Sequence, residues 1–159
     1  MARRKLRNLD ARILKKTLYY GALLGIDKIS TKKIAEDIGI TEPTIYVHFR
    51  TRANLLYEGY RTAIKQVFAE FANENSPTET RFFHALQSAK NNVEAAIYAY
   101  YYRQLNLSDE YDKIFDEFFA EPSPLKASVV EHFLYRIAVG SLVPSEEVAA
   151  EIFGLIQKL

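Results

Sequence analysis

Apolar side chains recur every three to four residues along nearly the whole chain, and polar residues fill the positions between them. This spacing is typical of amphipathic α-helices, and no segment alternates apolar and polar residues for long enough to predict a β-strand. The pattern therefore predicts an all-α protein of about nine helices. A three-helix head is expected over residues 1–50 and a helical body over residues 51–159, in which 51–75 form a connecting helix.

Turn and capping residues indicate where these helices begin and end. A basic arm over residues 3–7 is expected to precede a first helix at about 9–24. Two short helices follow, separated by Gly39, and the second of them accepts Pro43 in its first turn, where backbone N–H groups are spare. The Asn-Ser-Pro run at 75–77 ends the connecting helix. Five body helices are expected after it, at about 78–90, 91–105, 108–121, 124–139 and 145–159.

Composition and charge limit the class of protein. The chain is 48% hydrophobic and 26% charged, close to the average for globular domains, and it has no cysteine for a disulfide or a thiolate metal site. No apolar run approaches the roughly 18 residues that span a bilayer, and no apolar segment of a signal peptide follows the basic start. We therefore expect a cytoplasmic protein with no membrane segment, cofactor or metal.

The net charge of +1 conceals an uneven distribution. Residues 1–65 contain 14 Lys and Arg against 6 Asp and Glu, a net of +8, and residues 66–159 contain 7 against 14, a net of −7. Such asymmetry is typical of a head that binds a polyanion, either a nucleic acid or an anionic membrane. Attraction between the two halves of the chain is the alternative explanation.

The segment 31–52, TKKIAEDIGITEPTIYVHFRTR, decides between these partners. Two short amphipathic helices are joined by Gly39-Ile40-Thr41, in which glycine permits a left-handed turn and Ile40 points back to the core. This arrangement is typical of a helix-turn-helix, which places its second helix in the major groove of DNA. Double-stranded DNA is therefore the predicted partner.

The same segment resembles the TetR family of bacterial regulators, at about residues 10–60. The resemblance is carried by positions that agree in register: Ile13-Leu14, Gly25, Ile34-Ala35, Gly39-Ile40-Thr41, Thr44-Ile45-Tyr46, His48-Phe49, Arg52 and Leu55-Leu56. Two positions depart from the family pattern. Tyr20-Gly21 stands where an apolar-aromatic pair is common, and Arg52 stands where lysine is usual, although arginine keeps the positive charge.

The resemblance implies a sequence-specific transcriptional regulator, by family habit a ligand-responsive repressor, and it assigns roles to residues of the head. Glu42, Pro43 and Thr44 would meet base edges, while a carboxylate at the start of a helix could instead only favour the helix dipole. Phosphate binding is expected of five further residues, although Tyr46 and His48 could merely pack: Thr31, Thr41, Tyr46, His48 and Arg52. Arg4, in the basic arm, is expected to add contacts to the DNA backbone or the minor groove.

For the body, the resemblance implies an effector pocket and a dimer interface. The expected pocket would take a small apolar or aromatic ligand, unless its residues simply fill the core: Phe82, Leu86, Ile97, Tyr101, Phe115 and Phe118. Apolar stripes on the last two helices are expected to form a homodimer, as a palindromic operator requires: Val130, Leu134, Ile137, Val148, Ile152, Leu155 and Ile156.

The sequence disfavours two other classes of function, an enzyme and a protein-interaction module. An enzyme is disfavoured because no histidine has a second metal ligand at helical spacing and no phosphate loop or nucleophile elbow is present. A helical protein-interaction module that has lost DNA binding is disfavoured by the charge asymmetry and by the threonines at the turn. The sequence therefore predicts a regulator and not an enzyme.

Overall fold

The computed structural model describes residues 2–68, 75–105 and 111–159, with side chains from residue 8 onward. Within these ranges the chain is all-helical, with eight α-helices and two short 3-10 helices, which confirms the predicted fold class. The α-helices are α1 (Ala2–Leu24), α2 (Thr31–Ile38), α3 (Glu42–Phe49), α4 (Arg52–Phe68), α5 (Thr78–Ser88), α6 (Val93–Gln104), α7 (Pro124–Ala138) and α8 (Glu146–Gln157). The 3-10 helices are η1 (Ile26–Lys28) and η2 (Lys113–Glu117). No helix in the described ranges has both the length and the apolar character needed to cross a membrane.

Two predicted elements differ from the structure. Helix α1 begins at Ala2, so the predicted basic arm is part of that helix. Alanine, leucine, arginine and lysine are strong helix formers, and no glycine or proline interrupts residues 2–20, which explains the longer helix.

The helix predicted at about 108–121 is the second difference. Residues 106–110 lie outside the described part, and beyond them the chain forms only the short η2. The Asp112 carboxylate accepts a hydrogen bond from the Ile114 N–H and caps η2. Phe115 and Phe118, three residues apart, are both buried. A 3-10 helix brings residues at this spacing onto one side, so the tighter helix suits the burial of both rings.

The head is formed by α1, α2 and α3 around a core to which each helix contributes an isoleucine. Ile13, Ile34 and Ile45 are fully buried in this core. Helix α1 is also bonded to α2 at two points. The Arg12 guanidinium donates to the Ile38 carbonyl at 2.8 Å, and the Tyr20 hydroxyl donates to the Asp37 carboxylate. The head is therefore held by polar contacts at its surface as well as by its core.

A single tyrosine of the body packs between α1 and α4. The Tyr98 ring, on α6, lies against Gly21 of α1 and Gly59 of α4, and its hydroxyl donates to the Leu56 carbonyl at 2.9 Å. A Cβ atom at Gly21 would lie 2.5 Å from Cε2 of Tyr98, and one at Gly59 would lie 2.6 Å from its hydroxyl oxygen. Gly21 is one of the departures from the family pattern, and the packing there is supplied by Tyr98. We call this arrangement the tyrosine slot (Gly21, Gly59 and Tyr98).

A charged network is buried where α4, α6 and α7 meet. The Arg103 guanidinium donates to both Glu131 carboxylate oxygens, at 2.9 and 3.3 Å, and to the Tyr60 hydroxyl at 2.9 Å. The Tyr60 hydroxyl itself donates to Glu131. Burial raises the pKa of Glu131, while the bonds from Arg103 oppose that rise. This buried network (Tyr60, Arg103 and Glu131) joins the connecting helix to two helices of the body.

The far end of α4 packs into a cluster of phenylalanine rings. The Phe68 ring contacts those of Phe115 and Phe118, and the Phe82 ring contacts that of Phe153, with centroids 5.1 to 5.6 Å apart. These rings come from α4, α5, η2, α8 and the residue after η2, and all five are nine-tenths or more buried. The cluster is therefore the main core of the body.

Candidate nucleic-acid interface

The turn between α2 and α3 has the geometry of a helix-turn-helix. Gly39 ends α2 with φ 73° and ψ 39°, in the left-handed region that glycine adopts without strain. The Ile40 N–H then donates to the Ala35 carbonyl at 3.0 Å, as in a common helix-ending motif. Ser30 caps the start of α2 by accepting from the Lys33 N–H. These local interactions fix the angle at which α3 leaves the turn.

Helix α3 buries Ile45 and Phe49 against the head and leaves its opposite side open to solvent. The outer face of α3 (Glu42, Pro43, Tyr46 and Val47) lines an open concave surface of about 470 Å³. Val47 is 79% exposed, the highest value among the large apolar residues of the described ranges. An isolated apolar side chain exposed to this degree on a short helix suits contact with another molecule.

Sequence reasoning did not select Val47 as a contact residue. The available signal was its position, because Val47 follows Ile45 by two residues and so cannot share the buried side of α3 with Ile45 and Phe49. It lies one helical turn after Pro43, which is also exposed. Pro43 and Val47 therefore form an apolar ridge on the outer face of α3.

Three predicted contact residues are brought together at the start of α3. The Thr31 hydroxyl donates to the Glu42 carboxylate and lies 3.3 Å from the Tyr46 hydroxyl. Thr31 is buried, whereas Glu42 and Tyr46 are partly exposed. This contact fixes the Glu42 carboxylate relative to α2, so any base that it meets would be read from a defined position.

Thr41 and Thr44 form a separate hydroxyl pair. Thr41 occupies the capping position of α3, but its side chain makes no capping bond to a backbone N–H. Its hydroxyl oxygen instead lies 2.9 Å from that of Thr44. Both hydroxyls are at the surface of the head, where an oxygen of a phosphate group could replace one of them as a partner.

Arg52 and His48 point into the head. The Arg52 guanidinium donates to the Ile29 carbonyl at 2.6 Å and, at 3.3 Å, to the carbonyls of Ile26 and Asp27. Carbonyl groups at the end of a helical turn carry partial negative charge, which favours a cation there. His48 pairs through Nδ1 with the Asp10 carboxylate of α1. Phosphate binding by Arg52 and His48 stays a prediction, and the Arg4 side chain lies outside the described residues.

The corner between α3 and α4 has an unusual backbone. Arg50 ends α3 with φ 64° and ψ −55°, and across it the Thr51 N–H donates to the Phe49 carbonyl at 2.8 Å. Asn54 supports the same corner, since its side-chain amide also donates to the Phe49 carbonyl. A γ-turn of this hand is rare and strained for any residue with a Cβ.

The residues predicted to line an effector pocket are not gathered around one cavity. Phe82, Leu86 and Phe115 are buried in the core of the body. Phe118 borders an open groove of about 540 Å³ between the start of α5 and the end of α8. Tyr101 borders a different depression, near the end of α1, and Ile97 is half-buried. A shared lining therefore stays a prediction.

Most residues predicted for the dimer interface are buried inside the chain itself. Five of the seven are 5% exposed or less, Val148 is half-buried and Leu155 is 62% exposed; the five are Val130, Leu134, Ile137, Ile152 and Ile156. The cause is that α7 packs on α6 and α8 packs on α5. The five buried side chains are therefore not accessible to a partner subunit, whereas Leu155 is.

All-helical structure in the described ranges, a basic N-terminal part and an exposed α3 after a glycine turn are together typical of helix-turn-helix DNA-binding proteins. Residues 22–58 match the family model of the bacterial regulatory proteins of the tetR family. This match covers under a quarter of the chain, and it supports a regulator of the TetR family, a family of DNA-binding transcription regulators. A comparison with curated proteins gave no match to the chain. Within the described residues no group of three side chains could hold a metal ion.

Proposed function

We propose that this protein is a cytoplasmic, sequence-specific repressor that binds a palindromic operator as a homodimer and leaves it when a small ligand binds. The observation that carries the proposal is the outer face of α3, which is exposed within residues 1–65, the part of the chain with a net charge of +8. A basic surface attracts the phosphate backbone without regard to sequence, and base edges supply the specificity.

In this proposal α3 enters the major groove with its outer face toward the bases. The Glu42 carboxylate would accept a hydrogen bond from a cytosine amino group, and Pro43 and Val47 would contact thymine methyl groups. Thr44, beside Pro43, would add a hydroxyl or methyl contact. Phosphate contacts would come from Thr41 and Tyr46 at the edge of that face.

Two substitutions on α3 test this arrangement. Tyr46→Ala should weaken binding to the operator and to random DNA alike, because a phosphate contact carries no sequence information. Val47→Ala should weaken operator binding alone, by roughly 1 to 2 kcal/mol, because it removes two methyl groups that would be buried against thymine methyls. The operator is first selected from random duplexes, and affinities are then measured by fluorescence anisotropy.

Replacing the contacted thymines with uracil removes the same methyl groups from the DNA and serves as a control. Uracil in the operator should lower the affinity of the parent protein but leave the affinity of the Val47→Ala variant almost unchanged. If Tyr46→Ala and Val47→Ala bind both the operator and random DNA as tightly as the parent does, α3 is not the helix that contacts the bases.

The homodimer is supported by apolar side chains that α7 and α8 leave exposed. Leu125 on α7 is 58% exposed, and Leu155 on α8 and Leu159 just beyond it are 62% and 60% exposed. Val129 and Phe133 follow Leu125 at four-residue steps on the same side of α7 and are half-buried. Two-fold pairing of such a surface would cover it, and a palindromic operator would require the two copies of α3 to lie about one turn of DNA apart, roughly 34 to 36 Å.

Leu155→Asp should convert the dimer to a monomer, because pairing would bury an uncompensated carboxylate. Leu23→Asp is the matched control, since Leu23 is equally exposed, at 62%, but lies on α1 in the head. Sedimentation velocity at micromolar concentration measures both. A monomeric parent, or a Leu155→Asp variant that stays dimeric, would exclude this surface as the interface.

A ligand response completes the proposal. The open groove of about 540 Å³ beside Phe118, Phe119 and Phe153 could take an apolar or aromatic ligand. Its wall includes residues that follow η2, and Phe118 packs directly on Phe68 near the end of α4. The end of α4 could adopt one position that favours DNA binding and another that does not. A ligand that binds more tightly to one of these two arrangements would change the DNA affinity, at most by its own difference in affinity for them.

A further inference from the structure

Arg50 has the one backbone conformation in the described chain that its side chain disfavours. Among the residues that the structure describes, it is the only one other than glycine with a positive φ. Glycine would adopt the same turn without steric cost. A strained residue of this kind persists where its side chain has a use that the strain does not outweigh.

The Arg50 side chain is exposed and, within the described part of the chain, has no hydrogen-bond or ion-pair partner. Two other arginines, Arg52 and Arg12, differ from Arg50 in this respect. Arg52 is bonded to three backbone carbonyls, and Arg12 is bonded to the Ile38 carbonyl. At the end of α3, the Arg50 guanidinium is thus an exposed cation with no hydrogen-bond or ion-pair partner among the described residues.

We infer that Arg50 is the residue through which the α3–α4 corner binds a DNA phosphate. The inference rests on the proposed DNA binding and adds to it a phosphate contact at the corner where Arg52 is turned inward. Arg50 directly follows the last residue of α3, four residues after Tyr46 of the outer face, and its side chain is exposed to solvent. Attraction to the end of the α3 dipole is the competing explanation, and it requires no DNA.

The test compares three variants at position 50 on a random 30-base-pair duplex, with binding measured from 50 to 200 mM salt. Arg50→Ala and Arg50→Gly should each reduce the slope of log affinity against log salt by about 0.9 per bound protomer, equivalent to about eightfold weaker binding at 0.1 M salt. Arg50→Lys keeps the charge and should keep the slope. Arg50→Gly should also melt about 2 to 4 °C above Arg50→Ala, because only glycine relieves the turn.

Lys65→Ala is the control for a general loss of charge. Lys65 is exposed on α4, 13 residues after Arg52, which places it about 20 Å away along the helix, and its removal should leave the slope unchanged. Slopes of Arg50→Ala and Arg50→Gly equal to that of a DNA-binding parent would overturn the inference and leave the proposed function intact. An equal reduction of the slope in Arg50→Lys or in Lys65→Ala would also overturn the inference. A parent that binds no DNA at any salt concentration would reject the proposed function itself, and the Arg50 inference with it.

Discussion

Replacing Glu131 with alanine should lower the free energy of unfolding by about 3 to 5 kcal/mol. The substitution leaves the Arg103 cation buried with only the Tyr60 hydroxyl as its partner in the network, and that hydroxyl loses its acceptor. Arg103 is 9% exposed and Glu131 is fully buried, so water cannot replace the lost carboxylate without a rearrangement of α6 and α7. Urea unfolding at neutral pH and constant protein concentration measures the change.

The control removes the whole buried network. A triple variant, Tyr60→Phe with Arg103→Met and Glu131→Leu, leaves no unpaired charge and should be more stable than Glu131→Ala, because apolar groups of similar volume often replace a buried ion pair at little cost. A Glu131→Ala variant within about 1 kcal/mol of the parent would mean that Arg103 finds another partner or reaches water.

Tyr98→Ala should cost about 3 to 5 kcal/mol of unfolding free energy, the range found when a buried aromatic ring is removed. The ring fills the tyrosine slot between α1 and α4, so its loss opens a cavity that touches three helices. Tyr98→Phe keeps the ring and should cost only about 1 kcal/mol, for the lost hydrogen bond to Leu56. Thermal and urea unfolding measure both variants.

A double substitution shows whether the glycines and the ring act together. Gly59→Ala alone should cost about 1 to 3 kcal/mol, because its Cβ would overlap the Tyr98 hydroxyl group. In the Tyr98→Ala background that overlap is absent, so the same substitution should cost much less. Additive costs would show that Gly59 and Tyr98 do not interact.

The head was largely predictable from sequence because its determinants are local. Gly39 signals the left-handed turn, Pro43 signals a helix start, and the spacing of Ile45 and Phe49 identifies the buried side of α3. Each of these signals acts within a few residues of the chain. The resemblance to the TetR family rests on this part of the chain, and the family model matches residues 22–58.

The body was less predictable because an apolar stripe does not indicate what will cover it. Val130 and Ile152 have the spacing of a buried helix face, and that spacing is the same whether the cover is a partner subunit or another helix of the chain. In the structure, other helices of the same chain cover both residues, because α7 packs on α6 and α8 packs on α5. The Phe115 and Phe118 rings raise the same question, because both are buried in the core while Phe118 also borders the open groove.

Contacts between distant parts of the sequence were not predictable at all. The positive charge of Arg52 suggested DNA, but its guanidinium meets carbonyls of η1 and of Ile29 that only the folded head brings near. Gly21 looked like a gap in the packing of α1, because the residue that fills it belongs to α6. Arg50 gave no signal, since a positive φ is visible in a sequence only when glycine occupies the position.

The tyrosine slot also limits how this protein could be recombined with its relatives. Regulators of this kind invite the construction of chimeras, in which the reading helix of one protein is joined to the sensor of another. Here α1 has a glycine where a ring from α6 must enter, so a transplanted head would carry a recess shaped for Tyr98. A recipient without an equivalent tyrosine would leave that recess empty, and a recipient with its own large residue in α1 would exclude the ring. A working hybrid would therefore need to take α1, α4 and Tyr98 together from the same parent protein.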